Sequence, residues 1–400
     1  MEKPLENSHV NELNLLLYCA RTEINLELKN KIEFLAKQSI DWNYVFNLSY
    51  AHAVVPLVYN SLKQMDSDLL PKSLDKFADY FLRNAFRSLT YTTELVKIAN
   101  TCQENDINLL PFKGSIFAAS IYNNLALRTF GDIDFLIEEE KLLETLHLLQ
   151  KLEYPPAKQI AQAKARPYLE FPLFYESPHY QKSLDIIDRQ RDIALELHWG
   201  LFNSSFSFPV SFEQLWQRRI YVNIKEASIP TFCYEDLIIY LCTHASKHGW
   251  RRLQWICDIA ELIRAKPQLN WQQVYERATN WGCLRMLCLG LILAHSLLDA
   301  PLPKNINIQQ QLKRDGQAQL LAKQVSDRLL DPKESFNIYL FILKCRERYR
   351  DRLRFLLCLV FVPKEEDWRF LRLPPSLHFL YYLIRPIRLL FKPILNPRTK

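Results

Sequence analysis

The segment Gly131-Asp132-Ile133-Asp134 constrains this chain more than any other, because it places two carboxylates two residues apart beside an apolar run. In a β-strand, side chains alternate between faces, so Asp132 and Asp134 point the same way while Ile133 enters the core. Two like charges held that close destabilise each other unless a cation lies between them. A hard divalent ion that also accepts phosphate oxygens, usually Mg2+, would relieve the repulsion. The segment therefore predicts an enzyme that uses a nucleoside triphosphate.

A second segment, Lys113-Gly114-Ser115, predicts a phosphate-binding turn. It follows the short apolar run 107–112 and precedes residues 116–123, whose composition is typical of a helix. A strand, a tight turn and the start of a helix direct backbone N–H groups and the positive end of the helix dipole toward an anion. Only seven glycines occur in the chain, and Gly114 and Gly131 both flank this predicted site.

The third carboxylate is predicted on a later strand. Residues 133–137 read as a strand and residues 141–154 as an amphipathic helix, after which residues 180–187 and 193–199 read as two more strands. On the last of these, Glu196 lies on the opposite face from the apolar residues, together with Ala194 and His198. If that strand pairs beside the one bearing Asp132 and Asp134, three carboxylates complete a two-metal site.

Helical patterns flank this core on both sides. Before it, helical periodicity covers residues 10–20, 26–38, 42–62 and 74–102, which predicts four or five helices. After about residue 206 the chain is predicted to be mainly helical, with a short hairpin around residues 220–231. The expected fold class is α+β: a small mixed sheet flanked by helical regions. The expected domains are 1–105, 106–205 and 206–400.

Composition is that of an ordinary globular chain. With 400 residues, 48% of them hydrophobic, it can bury substantial cores. Its nine cysteines include no CxxC pair, so we expect reduced core residues of a cytosolic protein. The N-terminus lacks a basic region followed by an apolar run, and no signal peptide is predicted. A cytoplasmic location is therefore expected.

Taken together, the motifs resemble those of the polymerase-beta-like nucleotidyltransferase superfamily. The order is Lys113-Gly114-Ser115, a helix, a loop containing Arg128, Asp132-Ile133-Asp134 on a strand, and the sequence ELHW at 196–199. Segments 42–62 and 244–263 are further similar to the helices of one bacterial branch, the uncharacterised nucleotidyltransferase family 5. The chain departs from the superfamily at its turn, where Lys113 precedes the Gly-Ser pair.

The resemblance implies a mechanism. Asp132 and Asp134 would bind two Mg2+ ions, and Glu196 would bind the catalytic one. Ser115 and the backbone of Gly114 would hold the β- and γ-phosphates of an NTP, with Lys113 and Arg128 as further phosphate contacts. An acceptor hydroxyl would attack the α-phosphate and release pyrophosphate. The acceptor, whether a small molecule, a nucleic-acid end or a protein, is not encoded in these motifs. The alternative is a catalytically silent nucleotide-binding or membrane-surface adaptor of the same fold.

Two histidines beyond the core have metal-ligand spacing. His244 and His248 share a helix face, and Asp258 lies about three turns farther on if the helix continues, but the Glu of a zinc-protease helix is missing. We expect these histidines, with Lys247, Arg251 and Arg252, to form a polar face turned toward the nucleotide cleft or the acceptor.

Positive charge is concentrated at the C-terminal end. Residues 341–400 contain 14 Lys and Arg against 5 Asp and Glu, a net charge of +9 in a chain whose total is +7. The charges and Pro386 interrupt this apolar segment too often for a transmembrane span. Three interpretations stay open: a peripheral helix on anionic lipid, a surface for RNA, and a helix packed on its own domain with a solvated basic edge.

Overall fold

A computed structural model describes residues 9–66, 74–155, 183–202, 206, 208–330, 336–363 and 365–395. Over these residues the chain has an α+β fold, in which a small mixed sheet is flanked by N- and C-terminal helical regions. The predicted fold class is confirmed.

The N-terminal region contains five helices in its described part: α1 (Val10–Cys19), α2 (Leu26–Ala36), α3 (Trp42–Ala51), α4 (Val55–Leu62) and α5 (Leu74–Glu104). The predicted helical segment 42–62 is divided in two because Ala53 has a φ of 58°, a left-handed conformation that a continuous helix cannot contain. Asn25 and Asp41 begin α2 and α3 by accepting a backbone N–H in the first turn with their side chains.

The core follows in the predicted order of strand, helix, strand, helix and two strands. Its elements are β1 (Leu109–Pro111), α6 (Gly114–Ser120), β2 (Ile133–Ile137), α7 (Leu142–Lys151), β3 (Ser183–Asp188) and β4 (Ile193–His198). The strand order is β1-β2-β4-β3, with β2 and β4 parallel and both outer pairs antiparallel. The first residues of the predicted strand 180–187, Tyr180 to Lys182, lie outside the described residues.

The two faces of the sheet differ in character. Ile133 and Phe135 of β2, with Leu195 and Leu197 of β4, pack in a buried cluster with residues of α5, α7 and a later hairpin. The residues between them, Asp134, Glu196 and His198 among them, therefore lie on the opposite face. This alternation is what the sequence predicts.

The remaining helical region begins with α8 (Phe212–Gln217) and the predicted hairpin, β5 (Ile220–Ile224) and β6 (Ala227–Thr231). Its described helices continue with α9 (Tyr234–Lys247), α10 (Leu253–Ala265), α11 (Trp271–Trp281), α12 (Leu284–Leu298), α13 (Ile306–Arg314) and α14 (Gly316–Leu330). The last four are α15 (Ile338–Cys345), α16 (Tyr349–Phe361), α17 (Glu365–Phe370) and α18 (Tyr381–Leu395).

One large buried cluster joins α1–α4 to helices of the C-terminal region and to Leu110, Phe112 and Leu136 of the sheet region. All nine cysteines are free and eight of them are buried. Within the described part of the chain, every helix is too short or too polar to cross a bilayer. The division at residues 105 and 205 stays a prediction; α5 ends at Glu104, and residue 205 lies outside the described residues.

Candidate active site

Strand pairing brings the predicted carboxylates together. Asp134 of β2 lies directly opposite Glu196 of the parallel strand β4, and Asp185 of β3 lies opposite Glu196 on the other side. Asp132 comes immediately before β2. The parallel pairing of β2 with β4, which periodicity alone cannot specify, is what sets these carboxylates side by side.

A lysine and a histidine occupy the space between the carboxylates. The Nζ atom of Lys113 lies 2.6 Å from Asp134 Oδ1. The Nε2 atom of His198 lies 3.3 Å from the same oxygen and 3.5 Å from Glu196 Oε1. One ligand atom each from Asp134, Glu196 and His198 lies within 4.8 Å of the others, which is a geometry that can hold a metal ion.

His198 was not among the predicted site residues, although its signal was present in the sequence. It lies two residues after Glu196 and therefore on the same face of β4. Its ring packs edge-on against Phe112, with 5.2 Å between ring centroids. This packing orients its Nε2 atom toward the carboxylates.

Charge and burial separate the pKa values of the carboxyl groups. Burial and the neighbouring charge of Asp134 raise the pKa of Asp132 to about 6. Burial would also raise the pKa of Asp134, but Lys113 and His198 outweigh it and hold that pKa well below its usual value. Burial opposes the charged form of His198, yet its hydrogen bonds to Asp134 and Glu196 raise its pKa. Lys113 and His198 thus compensate the charge of Asp134, while the pKa of Asp132 stays raised.

The turn after β1 has the geometry that the glycine was predicted to supply. Gly114 has a φ of 55°, and a Cβ atom there would lie 3.2 Å from the carbonyl oxygen of Asp132. A side chain at this position would be strained and crowded, so the turn can approach the carboxylate segment only with glycine. The neighbouring Ser115 Oγ is buried and has no hydrogen-bond partner among the described residues. Such an atom is one that a bound ligand can satisfy.

Arg128 lines the same cavity as the carboxylates, but its guanidinium is already paired with a buried carboxylate. Its Nε and Nη2 atoms donate to the two carboxylate oxygens of Asp258, at 2.9 and 2.8 Å, and Tyr122 donates to Asp258 at 2.8 Å. Asp258 is fully buried. This bidentate pair fixes the loop before Asp132 to α10, and phosphate binding by Arg128 stays a prediction.

The helix carrying the two histidines does not continue to Asp258. It ends at Lys247, and α10 begins at Leu253. The intervening backbone reverses through Gly249 and Trp250, with φ values of 64° and 56°. The indole of Trp250 is fully buried and donates to Ser246 Oγ at 3.2 Å. Asp258 therefore pairs with Arg128 and is not a third ligand for the histidines.

This reversed loop forms a wall of the same cavity as the carboxylates. The cavity measures about 550 Å3, and its lining includes Lys113, Gly114, Asp132, Asp134, Glu196, His244, His248, Arg251, Arg252 and Trp255. Arg251 and Arg252 are exposed, and neither forms an ion pair with another described residue. Burial, followed by Lys247, lowers the pKa of His248 to about 4, and the pKa of His244 is also lowered well below its usual value, chiefly by burial. The cavity thus has an acidic side and a side of neutral imidazoles, indole and guanidinium groups.

The sequence matches a protein family described as an uncharacterised nucleotidyltransferase, over residues 38–299. This is the family that the motifs resemble, and the match includes every residue that lines the cavity. No curated protein and no solved structure matches the chain. Helices α15 to α18 lie outside the matched residues.

Proposed function

This chain belongs to the family of uncharacterised nucleotidyltransferases, and we propose that it transfers a nucleoside monophosphate from an NTP to an acceptor hydroxyl in a Mg2+-dependent reaction. One observation carries the proposal: Asp132, Asp134 and Glu196 converge on a single cavity beside the Gly114-Ser115 turn. General nucleotidyl transfer follows from the family. The donor, the metal and the acceptor are the proposed part.

The donor set fits a divalent cation. Asp132, Asp134 and Glu196 supply carboxylate oxygens, which together with substrate phosphates are the ligands that Mg2+ prefers. When bound, two such ions would neutralise phosphate charge and acidify the acceptor hydroxyl. His198 adds a nitrogen donor beside Asp134 and Glu196, and nitrogen suits Mn2+ or Zn2+ better than Mg2+. A comparison of metals is therefore part of the test.

The nucleotide would lie between the two sides of the cavity. The Gly114 N–H and Ser115 Oγ, which has no hydrogen-bond partner in the described part of the chain, would bind the β- and γ-phosphates. Arg251 and Arg252 on the facing wall provide cations for the phosphate tail, and Trp255 with His248 provides an aromatic surface for the base. The acceptor would enter from the open side and is a small molecule, a nucleic-acid end or a protein.

In the proposed reaction, the acceptor oxygen forms a bond to the α-phosphorus while the bond from that phosphorus to the α–β bridging oxygen breaks. Pyrophosphate leaves with the bonding electrons. The hydroxyl proton passes to Glu196, whose side chain is 27% exposed, whereas that of Asp134 is 1% exposed. Asp134 would hold the cation and Lys113 would contact the phosphates, so this chain contributes mainly positioning and charge compensation.

A second candidate is a catalytically silent nucleotide-binding adaptor. It is favoured by the ion pair between Lys113 and Asp134, because an ammonium 2.6 Å from Asp134 Oδ1 occupies the space that a metal would need. In an active enzyme, Lys113 must turn toward the phosphates when the metal binds. In a silent protein, it stays with Asp134.

Incubation with α-phosphate-labelled NTPs, a cell lysate and Mg2+, Mn2+ or Zn2+ tests both candidates. The proposal predicts a labelled adduct in mass spectra and stoichiometric pyrophosphate release. Glu196→Gln should lower turnover about 100-fold or more while changing nucleotide affinity little. Metal-dependent nucleotide binding without any adduct would support the silent adaptor. Absence of both binding and adduct would refute the proposed function.

A further inference from the structure

The last helices expose apolar stripes at helical spacing. On α16 the stripe is Leu353, Leu356, Leu357 and Phe361, each 42–48% exposed. On α18 it is Leu383, Ile387 and Leu390, which are 60%, 54% and 77% exposed. Spacings of three and four residues put each set on one side of its helix. The two helices pack against each other, and we call these seven side chains the C-terminal apolar surface.

The segment that connects α16 to α18 also exposes large apolar side chains. Phe370 and Phe379, between α16 and α18, are 56% and 62% exposed. Scattered exposed apolar side chains are normal on a soluble protein, but a concentration of large ones along neighbouring elements marks an interaction site.

Polar residues, in contrast, lie inside this part of the fold. Asp367 is fully buried and Arg385 is 3% exposed. Arg385 donates to Asp367 at 2.8 Å and to the carbonyl oxygen of Leu359 at 2.9 Å, and Arg388 binds the other oxygen of Asp367. Arg385 and Arg388 point inward while Leu383, Ile387 and Leu390 point outward. A water-facing helix usually buries its apolar side chains and exposes its charged ones, and α18 does the opposite at these positions.

Charge indicates which partner suits this surface. The segment 341–400 carries a net charge of +9. Arg350 is 74% exposed although it lies 3.8 Å from Asp351, and Arg372 is exposed without an ion-pair partner among the described residues. Apolar side chains flanked by cations are typical of helices that lie in the headgroup region of anionic membranes. No described helix can span the bilayer, so such contact would be interfacial.

Two other partners fit less well. A symmetric dimer through this surface would bring two segments of +9 together, and like charges oppose such an interface. Binding of single-stranded RNA uses stacked aromatic rings, whereas six of the seven side chains of the C-terminal apolar surface are aliphatic.

We propose that the C-terminal apolar surface docks this protein on an anionic membrane, with the stripe of α18 inserted at the boundary between headgroups and acyl chains. The surface lies outside the residues matched by the family, so docking is independent of the proposed transfer chemistry. Membrane attachment would restrict the enzyme to acceptors at or near the bilayer surface.

Co-sedimentation of the full chain with vesicles tests this proposal. One vesicle preparation contains only phosphatidylcholine, and the other also contains the anionic lipid phosphatidylglycerol. Binding to each is measured at low and at moderate salt. We expect binding to the anionic vesicles that weakens as salt rises. The variant Leu383→Ser/Ile387→Ser should bind them about tenfold or more weakly, because it removes inserted apolar area.

A matched control comes from α5, where Leu82 and Phe86 are 65% and 75% exposed with the same i, i+4 spacing. Leu82→Ser/Phe86→Ser should leave vesicle binding unchanged. Both double variants alter exposed side chains, and their thermal unfolding and nucleotide binding should match those of the wild type. The proposal fails if the wild type does not bind anionic vesicles at low salt, or if both variants lose binding equally. It also fails if the α18 variant instead abolishes self-association or RNA retention measured without lipid.

Discussion

Two buried carboxylates near the cavity, Asp134 and Asp258, have opposite charge environments. Asp258 is fully buried and is matched by one guanidinium, which binds both its oxygens, and by the hydroxyl of Tyr122. Asp134 is equally buried but shares Lys113 and His198 with its neighbour Glu196. In the Asp258 cluster the carboxylate charge is matched by one cation, whereas the Asp134 cluster contains more acids than cations.

The pKa values of the acids around Asp134 reflect this excess of negative charge. Near Asp134, burial and neighbouring carboxylates raise the pKa of Asp132 to about 6, and burial with Glu196 raises that of Asp185. Acids whose charged form is disfavoured in a cavity are typical of functional sites, because an added cation restores the balance. The Asp258 cluster needs no such addition. Of two similar ion clusters, the unbalanced one is therefore the candidate for metal and substrate.

The largest effect should follow from breaking the unbalanced cluster at its centre. Asp134→Asn removes a metal ligand and the counterion of buried Lys113, so we expect metal-dependent NTP binding to fall about 100-fold or more. Because Lys113 loses the carboxylate 2.6 Å from its ammonium, the free energy of unfolding should also fall, by about 3 kcal/mol. Titration calorimetry and urea unfolding measure the two effects.

Lys113→Met/Asp134→Asn is the matched control. It removes both charges, so the stability should recover in part while nucleotide binding stays lost. Normal metal-dependent binding by the Asp134→Asn protein would contradict the assignment.

Breaking the balanced cluster should lower stability while changing metal affinity little. Asp258→Asn leaves the guanidinium of Arg128 buried without its charged partner, and we expect a loss of about 3–5 kcal/mol in the free energy of unfolding. Arg128→Met/Asp258→Leu should restore much of it, since a buried ion pair can often be replaced by apolar residues. Metal affinity of the folded double variant, measured by calorimetry, should stay within about threefold of wild type. A much larger loss would place Arg128 in the ligand-binding machinery.

The smallest expected effect is a gain in the free energy of unfolding when Asp132 is replaced by Asn. In the metal-free protein, the pKa of Asp132 is raised to about 6, above that of an unfolded aspartate at about 3.9. The folded state therefore binds more protons than the unfolded state, and stability falls as pH rises from about 4 through about 6. Asp132→Asn carries no such charge, so it should be about 1–3 kcal/mol more stable than wild type above pH 6, with the difference vanishing near pH 4. Urea unfolding in EDTA across this range is the measurement; an unchanged difference at all pH values would exclude charge as the cause.

The sequence predicted the local parts of this site for a clear reason. Alternation along a strand depends only on backbone geometry, so Asp134 and Glu196 could be assigned to the polar face before any contact was known. The same rule covers His198, which shares that face two residues after Glu196. The special conformation of Gly114 likewise followed from its place in a strand–turn–helix sequence.

Pairings between distant residues could not be predicted in this way. The partner of Arg128 lies 130 residues away on α10, and nothing in the local pattern near residue 128 distinguishes a phosphate contact from an ion pair with Asp258. The ion pair between Lys113 and Asp134 depends on β1 pairing with β2. His244 and Asp258 do not share one helix, because the loop between them reverses through Gly249 and Trp250.

By itself, then, the sequence determined the α+β fold class, the family and the face on which the carboxylates lie, because hydrophobic period and short motifs are local properties of the chain. Only the tertiary structure decided which charges meet: the balanced Asp258 cluster, the unbalanced Asp134 cluster and the inward-facing Arg385. Charge pairing depends on distances between chain segments that are far apart in sequence. Packing of the whole fold sets those distances.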